Sequence, residues 1–198
     1  MVTRISGIFK KYAKGRIIPA LFGLYVLFNI AVLSGIHPRL KALSGGIGPV
    51  DLQFCYSPGK AYSMIESYGD AGRAFYRNYE LTGDIIYPIV FALFFGLLIA
   101  WLFKRGVTPE SKLHKLCVVP LGAWLFDLLE NITIILMISF HPARVIILPW
   151  LATAFTMMKW ILALAAILLV LTGFVLALKN GFKKDSNNYP SRQQSGPI

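Results

Sequence analysis

The sequence predicts an all-α fold: an up-down bundle of four transmembrane helices, both termini cytoplasmic, with one short interfacial helix on the outer side. Three observations predict it. The chain of 198 residues is 56% hydrophobic and only 15% charged, where ordinary soluble domains carry about 25% charge, and its mean hydropathy is +0.62. Four stretches hold the roughly 20 apolar residues that a bilayer crossing requires: about 17–36, 85–103, 116–140 and 148–178. Basic residues alternate from one side of those stretches to the other.

In a soluble domain a net charge of +11 would suggest nucleic acid as a partner. Here its distribution matters more than its sum, and no nucleic-acid partner is expected. Residues 1–16, the loop between spans two and three, and the tail from 179 hold 13 basic residues and two acids, Glu110 and Asp185. The other two loops hold six basic residues and five acids. The positive-inside rule then puts both termini in the cytoplasm, giving a multi-pass protein of the cell membrane.

The elements follow in order. Residues 1–16 form a basic cytoplasmic N-terminus, and the four-span domain covers 17–178. The first span is expected to stay uncleaved, because it is long for a signal-peptide apolar region and no A-x-A site follows. The outer loop, 37–84, contains a helix at about 58–68. Ser57 is its N-cap, Pro58 its first residue and Gly69 its stop. Ala61, Met64, Ile65 and Tyr68 recur at helical spacing, so this helix is expected to lie on the outer membrane surface. Asp70 offers a fresh N-cap, and nothing strongly stops the second helix between Ala71 and Gly106. Pro88 should kink it, since its ring crowds the carbonyl of Asp84. Residues 179–198 read as a polar, disordered cytoplasmic tail.

Polar residues interrupt the spans. At about 100° per residue, Arg73, Arg77, Glu80 and Asp84 share one face of the second helix, flanked by Tyr76 and Tyr87. On the third, Trp124, Asp127 and Asn131 share a face with Glu130 at its edge. Charge at membrane depth is costly and faces the bundle interior. Glu130 lies ten residues before the end of span three, and Lys159 ten residues after the start of span four, so the two are level. The expected pair is Glu130–Lys159, with Asp127 as second partner. That leaves one carboxylate to be protonated or shared with Arg73 or Arg77. Asn29, one turn after Tyr25, completes the cluster from the first span.

Other motifs lead nowhere. Cys55 and Cys117 fall on opposite sides of the membrane, beyond disulfide reach. His37 and His141 each precede a proline and read as helix ends; neither has metal-ligand spacing. The glycosylation match Asn131-Ile-Thr133 lies inside a span. There is no Walker loop, catalytic-triad order, CxxC or HExxH, and no cofactor or metal is expected.

The pieces "YSPGKAY", "YGDAGRAFYRNYE", "DIIYP", "DLLENI" and "TMMKW" together resemble a group of small four-span bacterial membrane proteins of unknown function, over Tyr56 to about Trp160. The resemblance implies a shared four-helix membrane fold and no activity.

The leading functional reading is non-enzymatic: an assembly partner, or a binder of a small amphiphile reached from the outer side. The expected partners are the lipid bilayer, a lipid or small amphiphile, and further copies of the chain. One alternative is an intramembrane lipid-modifying enzyme using a buried carboxyl as general acid or base. Another is a proton-coupled transporter subunit, which would need an oligomer because four helices are few for alternating access. A cavity of more than about 300 Å³ ending on an unpaired carboxylate would favour the enzyme.

Overall fold

The computed structural model describes residues 1–188, with side-chain surroundings through residue 181. Among the described residues every regular element is helical. The helices are α1 (Val2–Tyr12), α2 (Ile17–Ala31), α3 (His37–Leu43), α4 (Pro58–Ser67), α5 (Gly69–Glu80), α6 (Gly83–Gly106), α7 (Val119–Phe140) and α8 (Ile147–Asn188). A π turn joins α2 to α3, and 3-10 turns occupy Val50–Leu52 and Lys112–Val118. Four helical segments are long and apolar enough to cross a membrane: Ile17–Leu43, Gly69–Gly106, Lys112–Phe140 and Ile147–Gly181.

Side-chain registers fix the topology. Asn29 faces Tyr87 while Gly15 faces Trp101, so α2 runs antiparallel to α6. Asp84 meets Asn131 and Gly96 meets Cys117, so α6 is antiparallel to α7. Gly122 meets Leu162 and Glu130 meets Thr156, so α7 is antiparallel to α8. The result is an up-down bundle. One end carries α1, the 3-10 turn at Lys112–Val118 and the end of α8; the other is capped by α3, α4 and α5.

Small residues let α6 and α8 approach closely. A Cβ on Gly106 would sit 2.7 Å from the backbone of Leu176 and Ala177. Backbone cannot rotate out of the way as a side chain can. Gly106→Ala is therefore expected to destabilise the protein by about 1–3 kcal/mol, the usual cost of overpacking, read as a lowered midpoint of thermal unfolding in detergent. α2 is held on α6 by aromatic rings: Tyr25 stacks on Phe94 at 5.5 Å and meets Phe95 edge-on at 5.7 Å. Such pairs add to the area they bury.

The outward surface of the bundle is apolar. Phe22, Leu27, Ile30 and Leu33 on the first segment are all exposed, as are Ile161, Leu164, Leu168, Leu171 and Phe174 on α8. No buried residue falls within α2. An apolar surface this continuous exceeds what a water-exposed monomer carries.

Several sequence expectations need correction. The first span does not end at His37-Pro38. The helix continues through the π turn at Val32–Ile36, Pro38 sits in the first turn of α3, and the segment runs on to Leu43. The second helix is not continuous from Ala71. It breaks at Leu81–Thr82, where Thr82 leaves helical geometry (φ −129°, ψ −79°) and its hydroxyl donates to the Asn78 carbonyl. Asp70 does not cap α5; it lies in the first turn and pairs with Arg73.

α4 starts as expected, with Lys60 N–H donating to Ser57 Oγ at 3.3 Å, and Gly69 adopts a φ of +61° at the stop. Its apolar face, however, is turned into the protein rather than onto a lipid surface. Ala61, Tyr62, Met64 and Ile65 are buried in one cluster with Leu40, Tyr68, Met137, Ile138 and Ala152. The periodicity showed that the face is buried but could not show against what. Arg144 ties α4 to the α7–α8 loop through Glu66. The guanidinium holds the Glu66 carboxyl below the ordinary carboxylate range. The small contribution of this exposed pair is complete above that range and is lost as pH falls below it.

The basic N-terminus also has structure. α1 lays Phe9 over Gly96, where a Cβ would sit 2.8 Å from the ring, and Lys104 Nζ donates to the Lys10 carbonyl at 3.0 Å. At the other terminus α8 extends to Asn188, ten residues past the expected end of the span. The rest of the expected disordered tail, 189–198, lies outside the described residues.

Candidate functional site

The site begins with the register of α7. Asp127, Glu130 and Asn131 are three and four residues apart, so all three project from one side of the helix. That side meets α8, where Lys159 is level with them. Lys159 Nζ lies 2.5 Å from Glu130 Oε2 and 3.0 Å from Asp127 Oδ1. All three residues are nine-tenths buried or nearly so. Glu130 also accepts from Thr156 Oγ1 at 2.6 Å. The lysine is thus shared between two carboxylates, as its depth predicts.

Asn131 does something else. Its Nδ2 donates to the Asp84 carbonyl at 3.0 Å and to Asp84 Oδ2 at 2.9 Å. The reason lies one turn along α6. Pro88 has no N–H, so the Asp84 carbonyl has no intrahelical partner. A buried carbonyl must be satisfied somewhere, and Asn131 supplies the donor across the helix interface. Tyr79 completes the shell by donating to Asp84 Oδ1 at 2.9 Å. It can do so because the ring lies over Gly83, where a Cβ would be 2.8 Å from it.

The stripe expected on the second helix is divided. Glu80 and Asp84 are buried, but Arg73 and Arg77 do not join them. Arg73 turns to Asp70 at 2.5 Å and to the carbonyls of Ile65 and Glu66. Arg77 is exposed. The break at Leu81–Thr82 takes Asp84 out of the angular register of α5, whereas Glu80 shares that unbroken helix with both arginines. Glu80 is fully buried, and neither of its oxygens has a hydrogen-bond partner.

Three members of the cluster are not legible in the sequence: Tyr79 and Thr156, whose hydroxyls bond Asp84 and Glu130, and Asp51. Asp51, assigned to the solvated outer loop, is 8% exposed and accepts from the buried Tyr76 hydroxyl at 2.6 Å. A lone acid in a loop has no periodicity to reveal it. The available signal was its setting, between Pro49-Val50 and Leu52. Tyr56 lies nearby on the same loop. Burial first, and the Glu130 charge second, push its phenol above the usual value, so it stays protonated.

These residues surround a cavity of about 280 Å³. Asp51, Asp84, Asp127 and Lys159 line it, together with Asn29, His37, Tyr79 and Tyr87. Tyr87 Oη donates to Asn29 Oδ1 at 3.4 Å and its ring stacks on Tyr25 at 6.1 Å. Phe91, Trp124, Trp160 and Ala163 form the apolar walls. Leu33, Leu52 and Trp160 on its lining are 64%, 45% and 40% exposed. The mouth therefore opens sideways, between the α2 segment and α8, onto the apolar surface of the bundle. Asp127 contributes an oxygen, Oδ2, that is buried and has no hydrogen-bond partner. Glu130 does not line the cavity.

No protein-family model, curated protein or solved structure matches this chain.

Proposed function

We propose that the protein is a multi-pass integral membrane protein that holds the polar head of a small amphiphile in the core of its bundle. The observation that carries this reading is the side-opening cavity, lined mostly by apolar side chains with Asp51, Asp84, Asp127 and Lys159 among them. An amphiphile in the bilayer meets such a mouth directly: its chain keeps apolar contact while its head reaches the polar groups. A network serving only to lock the helices would leave no such space. Asp127, the candidate general acid or base, is already paired with Lys159 through Oδ1. Binding is therefore favoured over catalysis.

The test is direct. The protein is extracted in detergent, and bound lipids are identified by mass spectrometry. Wild type should carry an enriched amphiphile that Ala163→Phe, which fills the cavity wall, excludes. Equal lipid content in the two would count against the reading. A second reading, an intramembrane acid–base enzyme, is favoured by the unpartnered Oδ2 of Asp127. It requires a chemically altered amphiphile to appear when the purified protein is incubated with membrane lipids, and none with Asp127→Asn.

The basic terminal end of the bundle belongs in the cytoplasm and the capped end outside. Cys55 is exposed on the capped end and Cys117 is buried. A membrane-impermeant maleimide should label Cys55 in intact cells. A Lys112→Cys variant should gain a second label only after permeabilisation. Protection of Cys55 until permeabilisation would reverse the orientation.

A further inference from the structure

We propose that the cavity selects an amphiphile with a cationic head, an alkylammonium group rather than an alcohol, carboxylate or phosphate. This rests on the binding reading above and specifies its ligand. The first observation is charge. Asp51, Glu80, Asp84, Asp127 and Glu130 are all buried; Lys159 pairs with two of them and is the one lysine or arginine on the cavity lining, where His37 also lies. Arg73 and Arg77, the cations nearest in sequence, lie elsewhere. Three of the five acids line the cavity.

The second observation is where the free hydrogen-bonding capacity lies. Every donor that reaches these acids is already used: Tyr76 on Asp51, Tyr79 and Asn131 on Asp84, Thr156 on Glu130, and Lys159 on Asp127 and Glu130. Glu80 and Tyr56 also carry unpartnered oxygens, but neither lines the cavity; on the lining the open valence is an acceptor, Asp127 Oδ2, on a side chain nine-tenths buried. An anionic head would meet carboxylates and a lysine already shared. A cationic head supplies what is missing, a positive donor for an acceptor in an apolar setting where an uncompensated charge is costly.

The walls agree with this. Lys159 Nζ lies 5.9 Å from the centroid of the Trp160 ring, and Trp124, Tyr87 and Phe91 line the same cavity. Aromatic faces attract ammonium groups, most strongly where water is excluded. They offer nothing comparable to a carboxylate or phosphate.

The test uses the full chain in phosphatidylcholine nanodiscs and four probes of one chain length with a terminal bromine: an alkylammonium, an alkyltrimethylammonium, an alcohol and a carboxylate. The readout is quenching of tryptophan fluorescence. A Trp124→Phe/Trp160→Phe protein corrects for probe dissolved in the bilayer. The ammonium probes are expected to bind on the order of tenfold more tightly than the alcohol or the carboxylate. Asp127→Asn should remove that advantage, read as a fall in the ratio of ammonium to alcohol affinity. Asp51→Asn, outside the ion pair, should reduce the advantage in a protein whose Lys159 contacts are intact. Equal affinity for ammonium and alcohol, or preference for the carboxylate, overturns the cationic selectivity while the binding reading stands. If no probe quenches wild type more strongly than it quenches Trp124→Phe/Trp160→Phe, the binding reading falls and the selectivity with it.

Discussion

Replacing Lys159 with methionine is expected to lower the stability of the folded protein by about 3–5 kcal/mol, the usual cost of removing one member of a buried ion pair. The loss comes from what remains. Without the ammonium, Asp127 and Glu130 are left buried in the α7–α8 interface, and among the described residues no other cation pairs with them. Methionine fills the lysine's volume, so a cavity is not the cause.

The geometry also sets the pattern of rescue. Lys159 touches both carboxylates, at 2.5 and 3.0 Å. Adding Glu130→Gln should therefore restore only part of the loss, because Asp127 stays unpaired. Adding Asp127→Asn as well should restore most of it, since a neutral buried network carries little net penalty. Unfolding by SDS titration in mixed micelles would measure each step. If the double variant is no more stable than Lys159→Met, the pairing as described is wrong.

What the sequence revealed follows from which physical signals are periodic. Depth along a span is simple arithmetic, so the sequence alone matches Lys159 with Asp127 and Glu130. Cap chemistry is local, so Ser57, Pro58 and Gly69 marked the start and stop of α4. Angular position fails where a helix breaks. Projecting Arg73 and Arg77 onto the face of Asp84 assumed an unbroken helix. The helix breaks at Thr82, whose backbone leaves helical geometry, a choice its composition does not announce. Asp51 could not be found this way, because what buries it is a contact 25 residues away, at Tyr76. The apolar stripe of α4 was legible as a stripe, but lipid and protein are equally good covers for it. The cavity itself depends on how α2 leans on α6, through aromatic contacts that no pattern along the chain encodes.

Asn131→Leu should cost about 3 kcal/mol, and a second substitution should show why. The leucine removes two bonds to Asp84, one to the carboxylate and one to the carbonyl. Leaving a buried acceptor unmet costs about 1–3 kcal/mol, more when it is charged. The carbonyl is needy only because residue 88 is a proline. Pro88→Ala returns an N–H to α6, four residues beyond Asp84, and that N–H can take over the carbonyl. Alone, Pro88→Ala gains only helix propensity, since Asn131 already satisfies that oxygen. In the Asn131→Leu background it should gain about 1 kcal/mol more, the worth of one recovered hydrogen bond. A double-mutant cycle isolates this difference from the propensity term, which is common to both backgrounds. Equal gains in the two backgrounds would mean that Asn131 serves the Asp84 carboxylate alone, and that the proline and the asparagine are unrelated features of the same interface.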